Sequence, residues 1–251
     1  MTRTHLKHVR VYVDGYDLSG YERTVGPLAH TYDTSPDAAM SDGSKNIVLG
    51  QADIQAGALN GFLDNDTAGA FALAKTQSTR NLLVAIGVGA APAQGNPIFA
   101  WKFEQTAYSV EGGSGFVSAN IPFGGASYSS TLTYSKPWGY LLHASGAETA
   151  VNTAVGIDDI GAATTAGGIF VYHLLSSNGT VTLKVQDAAT NTNPSFSDLS
   201  GATSGSITAA STPTSGMIAL GTTATVRRYL RWQLVFGTAS TATFVTAFIR
   251  G

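Results

Sequence analysis

The side chains capable of chemistry are sparse in this 251-residue sequence, and their spacing fits no reaction or ligand. His5 and His8 stand three apart at the head of an alternating run. On a strand that spacing turns two imidazoles to opposite faces, where one zinc ion cannot join them. "DNDTAG", residues 64–69, imitates the opening of a calcium loop through Asp64, Asp66 and Gly69. Ala68 offers no oxygen, however, and Lys75 stands where the bidentate glutamate belongs. Asp66 or Thr67 is better employed capping the helix that follows. In "EGGSGF", residues 111–116, Phe116 replaces the last glycine of a nucleophile elbow. "GVGAAPAQG", residues 87–95, follows a strand but meets Pro92, so no helix N-terminus is available there to cradle a phosphate. The neighbouring carboxylates Asp158 and Asp159 do not reveal an opposed pair for glycoside hydrolysis. The remaining histidines, His30, His143 and His173, read as solvated or half-buried strand residues.

Composition narrows the field further. There is no cysteine, which removes thiolate catalysis, disulfides and cysteine-ligated zinc together. A net charge of −2 supplies no basic field to draw the chain onto nucleic acid. No stretch reaches the length of a membrane span, and "MTRTHLKHVRVYVDG" lacks the apolar run of a secretory signal, so no membrane partner is expected. The sequons at 65–67 and 178–180 are then chance matches. A non-enzymatic protein without cofactor, metal or catalytic residue is expected.

The elements are those of a β-protein. In "HVRVYVDGYDLSG", residues 8–20, Val9, Val11 and Val13 alternate with polar neighbours and end at Asp14-Gly15, a favoured hairpin turn. Alternation returns at Leu28, His30 and Tyr32, at Ile54, Ala56 and Ala58, at Leu82, Val84, Ile86 and Val88, at Phe99, Trp101 and Phe103, and at Val117, Ala119, Ile121 and Phe123. Residues 33–46, "DTSPDAAMSDGSKN", read as a long polar loop, and residues 65–77 as one helix of about three turns.

After a Pro-Trp-Gly break near residue 137, "GGIFVYHLLSS", "TVTLKVQDA", "RRYLRWQLVFG" and "TATFVTAFIR" are further strands. Leu230, Trp232, Leu234 and Phe236 share one face of theirs. The Gly, Ala, Ser and Thr tracts at 146–168 and 200–216 read as surface loops. Trp138, Tyr140, Tyr172, Tyr229 and Trp232 suit either a sugar-binding face or, more simply, a sandwich core. The fold class expected is all-β with one short helix: a β-sandwich or barrel over residues 1–137, followed by a second, jelly-roll-like or immunoglobulin-like β-sandwich over residues 138–251.

The succession of "VYVDGYDLSGY", a polar segment, a strand ending "LNGFLDND", the helix, "APAQGNPIFAWKFEQTAYSV" and "GFVSANIPF" resembles the tail tube (major tail) proteins of long-tailed bacteriophages, across residues 5–136. The C-terminal half is similar, in a generic way, to the β-sandwich domains appended to many virion proteins, whereas the simplest tube proteins stop near the first domain.

The resemblance implies a virion protein of the tail, assembled in the host cytoplasm. Copies would form a ring, commonly hexameric, and rings would stack into a conduit that passes DNA without holding it tightly. Partners implied are further copies of the chain, tape-measure and terminator proteins, and host-surface glycans at the C-terminal domain. Ring stacking would use Asp33, Ser35, Asp37, Met40, Asp42 and Lys45. An assembly hairpin would use Val11, Val13, Asp14, Gly15, Tyr16 and Asp17. Two alternatives stand beside this reading, a capsid decoration or neck protein and a carbohydrate-binding β-sandwich module.

Overall fold

A computed structural model describes residues 6–37, 46–63, 69–112, 115–126, 136–158 and 162–251. The first half of the chain contributes β1 (Val9–Val13), β2 (Tyr16–Asp17), β3 (Glu22–Val25), β4 (Leu28–Asp37), β5 (Asn46–Ala56), β6 (Leu59–Phe62), α1 (Ala70–Ala74), β7 (Thr79–Ile86), β8 (Pro97–Gln105), β9 (Ser109–Gly112), β10 (Val117–Ile121) and β11 (Phe123–Ala126). The second half contributes β12 (Trp138–Glu148), β13 (Ile157–Asp158), β14 (Gly168–Ser177), β15 (Thr180–Ala188), β16 (Ser197–Thr203), β17 (Ile207–Thr208), β18 (Thr214–Ala219), β19 (Tyr229–Phe236) and β20 (Ala242–Arg250). The protein is all-β, with α1 the one α-helix among the described residues.

A nine-stranded antiparallel sheet organises the molecule, in the order β18-β14-β20-β12-β8-β7-β1-β2, with β11 beside β8. Its strands β12, β14 and β20 are buried on both faces. Leu141, Ile169, Val171, Val245, Ala247 and Ile249 join the core that holds Val11, Leu83, Phe99 and Trp101. Leu142, Phe170, Leu174, Phe244 and Phe248 point the other way, into a second core. Double-sided burial is why "GGIFVYHLL" and "TATFVTAFI" read as nearly unbroken apolar runs rather than alternating ones.

The second core is closed by a five-stranded sheet, β13-β19-β15-β16 with β17 beside β15. Val181, Leu183 and Val185 alternate inward from β15, as do Leu230, Trp232 and Leu234 from β19. The first core is covered by a four-stranded sheet, β3-β6-β10-β9. That sheet turns Val25, Leu59 and Ile121 inward, beside Leu73 and Ala74 of the helix.

From the four-stranded sheet the chain runs on into a ribbon. After Val25 pairs with Leu59, Gly26 N–H donates to Ala58 O and Gly57 N–H to Pro27 O, and pairing resumes as β4 against β5 from Leu28↔Ala56 to Asp37↔Asn46. At the crossing the backbones approach so closely that a Cβ on Gly26 would stand 2.6 Å from the Gly57 Cα. Only glycine fits there.

Several elements differ from expectation. Residues 33–37 belong to β4 rather than to a loop, because Thr, Asp and Ser on a ribbon with two wet faces leave no apolar alternation. The helix is five residues long, with Gly69 at its N-cap and no side-chain cap, and Asp66 and Thr67 lie outside the described residues. Side chains of β7 and β8 satisfy the carbonyls at its end: Arg80 those of Leu73 and, past the helix, Thr76, and Gln105 that of Ala74. The tract at 200–216 supplies parts of three strands, β16, β17 and β18, its small residues Ala202 and Ala209 packing into the sandwich. β12 begins directly after residue 137 and pairs with β8 at Trp138↔Phe99, Gly139↔Ile98 and Tyr140↔Pro97, so the large sheet takes strands from both halves of the chain.

Candidate assembly surfaces

The nine-stranded sheet curls until its two ends meet, and the meeting point is the Asp14-Gly15 turn. Both residues have positive φ, 49° and 89°, as a hairpin turn of this kind requires. Gly15 N–H donates to His173 Nδ1 at 3.0 Å, and a Cβ on Gly15 would fall 2.7 Å from the Thr214 nitrogen on β18. Asp14 Oδ1 accepts from Asn81 N–H at 2.8 Å and from Ser215 Oγ at 3.4 Å. Asn81 Nδ2 closes the circuit by donating to Ser215 Oγ at 2.8 Å. The other carboxylate oxygen of Asp14 pairs with Arg80 Nη1 at 3.1 Å, and Arg80 Nε reaches Gln105 Oε1 at 2.8 Å. Side chains, not a strand ladder, therefore join the sheet ends.

The remaining hairpin residues make local contacts. Val11 and Val13 are in the core, Tyr16 packs against it, and Asp17 Oδ1 accepts from Ser19 N–H at 3.0 Å. His173 is fully buried, which pushes its pKa down to about 3 and leaves it neutral with Nδ1 as acceptor. Arg80, Asn81, Gln105, His173 and Ser215 carry no local sequence signal; their roles depend on contacts made across the fold.

The ribbon β4–β5 carries a run of exposed residues. Thr31, Tyr32, Asp33, Thr34 and Ser35 are solvent-exposed on one strand, and Gln51, Asp53 and Gln55 on the other. Among the described side chains, Ile54 and Ala56 at its root enter the core. The rings of His30 and Tyr32 lie 4.9 Å apart along β4. Of the residues expected to stack rings, Asp33, Ser35 and Asp37 are on β4, while Met40, Asp42 and Lys45 lie outside the described residues.

A second surface was not anticipated. On the outer face of the four-stranded sheet a cleft of about 410 Å³ is lined by Arg23, Thr24, Asn60, Ser109, Glu111 and Asn120, among others.

The other candidates resolve into structure. Tyr172 and Trp232 are sandwich core, whereas Trp138 is 43% exposed and packs edge-on to Phe99. Asn178 uses its side chain to hold Ser240 and Thr241. Asp158 pairs with Arg228 at 2.6 Å, and Asp159 lies outside the described residues, as do His5, Asp64 and Asp66. Among the described residues no three His, Asp or Glu side chains are grouped to hold a metal ion.

The fold belongs to the all-β class of sandwich and barrel proteins. No family model and no curated protein matches the chain. Among solved structures it is similar to the crystal structure of the Dit protein (gp 19.1) of phage SPP1, described as a paradigm of the hub adsorption apparatus in phages that infect Gram-positive hosts. The two share 13% identity at a TM-score of 0.32, over 97% of this chain and 99% of that one. No residue role is transferred from so distant a likeness.

Proposed function

We propose that the protein is a structural, non-catalytic component of a bacteriophage tail, and that its copies close into rings that stack as a tube for DNA. The observation that carries this reading is the ribbon β4–β5. Among the described residues it pairs with no third strand. At roughly 3.3 Å per residue its ten-residue strand extends about 33 Å; β11 and the core support its root, and a two-stranded ribbon beyond such support is only marginally stable in water. A neighbouring copy supplies the missing support, and an arm passed from each copy to the next around a rotation axis closes a ring. Asp33, Ser35 and Asp37, with Met40, Asp42 and Lys45, then make the contacts between rings. The Asp14-Gly15 hairpin contributes by placing strand edges of the large sheet where the next copy can use them.

The sequence resemblance of residues 5–136 to tail tube proteins favours the same assignment. So does the net charge of −2, which suits a conduit that passes DNA rather than binds it. Residues 138–251 add the sandwich as an outward-facing surface, with tape-measure and terminator proteins as partners of the ring. Assembly takes place in the host cytoplasm and the product resides in the virion tail.

Electron microscopy of the purified chain, beside a variant in which residues 33–46 are replaced by a short Gly-Ser turn, tests the reading. Rings from the parent and monomers from the variant are expected. Stacks of rings mark a tube, isolated rings a hub or neck position. A parent chain that stays monomeric at high concentration, in both low and high salt, overturns the proposal.

A further inference from the structure

The cleft on the four-stranded sheet is built by cross-strand registry. Thr24 opposes Asn60, Asn60 opposes Asn120, and Asn120 opposes Ser109, so one polar row crosses all four strands. In the neighbouring row Phe62 opposes Ser118, and Ser118 opposes Glu111. Strands about 4.8 Å apart make the first row about 14 Å wide. The strand step is comparable with the step between rings of an oligosaccharide.

Beside the polar row stands an aromatic platform. Phe62 and Phe116 meet edge-to-face at 5.3 Å, and both stay open to solvent, 41% and 42% exposed. The Arg23 guanidinium lies over both rings, at 5.3 and 4.9 Å from their centroids. A soluble protein that leaves two phenylalanines exposed beside a cleft has a surface suited to an apolar face of a ligand.

The lining chemistry selects the ligand class. Two carboxamides and three hydroxyls offer donors and acceptors together, and the single guanidinium and single carboxylate balance in charge. Asn120 Oδ1 is buried without a hydrogen-bond partner among the described residues, a cost that a donor from outside the chain relieves. The cleft volume of about 410 Å³ falls among small-ligand sites.

We propose that this cleft binds a neutral saccharide, its hydroxyls held by Asn60, Asn120 and Ser109 and one sugar face resting on Phe62 and Phe116. The site lies in the N-terminal half of the chain, away from Trp138 and Trp232, and its occupancy does not depend on ring assembly.

The test is saturation-transfer NMR and calorimetry on the full chain, with oligomers of glucose, galactose and N-acetylglucosamine of one to four rings as probes. Binding by the parent is expected, weakened about tenfold or more by Asn60→Ala and by Phe62→Ala and unchanged by Trp138→Ala. Amide shifts on adding the bound sugar should fall on β3, β6, β9 and β10, a readout that holds even where a variant folds poorly. Absence of binding across the probe set overturns the proposal. So does binding that Trp138→Ala abolishes while Asn60→Ala leaves it intact. Loss of rings in Phe62→Ala without any sugar binding assigns the cleft to a contact between copies, and overturns it equally. Microscopy of the parent reads ring formation separately, so the two proposals fail independently.

Discussion

Gly15 and His173 are 158 positions apart and are joined by a 3.0 Å hydrogen bond from the glycine N–H to the imidazole Nδ1. The bond exists only while the ring is neutral. Burial holds the His173 pKa at about 3, whereas the unfolded chain protonates near the ordinary 6.5. A depressed folded value places the stabilisation above pH 6.5, and it is lost as pH falls from 6.5 toward 3. Urea unfolding at pH 7, 5.5 and 4 should show that decline. His173→Asn, which keeps an acceptor but cannot titrate, should flatten it; equal slopes for parent and variant would falsify the assignment.

Gly15→Ala tests the seam sterically. The backbone at φ 89° disfavours a side chain, and the added Cβ would meet the Thr214 nitrogen at 2.7 Å. A loss of about 2–4 kcal/mol in chemical denaturation is expected from strain and clash together. A variant as stable as the parent shows that the sheet ends do not meet here.

Arg80 links the turn, the helix and β8 through one guanidinium. Arg80→Lys keeps the charge but loses the planar fork that serves Asp14, Gln105 and the helix carbonyls at once. The expected cost is about 2–4 kcal/mol. A change below about 0.5 kcal/mol, the range of ordinary surface substitutions, contradicts this role.

Glu22 carries the opposite pH signature to His173. It lines a small cavity with Leu6, Val9, Val11, Ser19 and Val25, and its Oε2 is buried without a hydrogen-bond partner among the described residues. Burial raises its pKa from 4.5 to about 8. The raised folded value means the favourable contribution is whole below pH 4.5 and drains away as pH rises toward 8. Glu22→Gln should therefore melt with the parent at pH 4.5 and above it at pH 8, by up to about 4 kcal/mol in stability. Melting curves that run parallel at both pH values rule this out. Between pH 4.5 and 6.5 the Glu22 and His173 effects oppose each other.

What the sequence discloses follows from which faces are wet. Leu230, Trp232 and Leu234 alternate legibly because β19 has one face in the sandwich core and the other outward. Val11 and Val13 run inward to a turn whose type Asp14-Gly15 announces. Thr31 to Ser35 have no buried face, so nothing in their order distinguishes a strand from a loop. The partners of the Asp14 carboxylate are hidden for a different reason: Arg80 and Ser215 stand 66 and 201 positions away, and only the curl of the sheet brings them together. The cleft is hidden likewise, because Thr24, Asn60, Asn120 and Ser109 form a row by registry between strands remote in sequence.

The position of β20 sets the timetable of biogenesis. This strand, residues 242–250, lies between β12 and β14 and is hydrogen-bonded to both. Until those residues leave the ribosome, β12 and β14 each present a bare apolar edge, of the kind that recruits other chains. Completion of the large sheet therefore waits on a strand that follows β12 by about a hundred residues in the chain. The interval between synthesis of β14 and arrival of β20 is when the nascent chain most needs a chaperone.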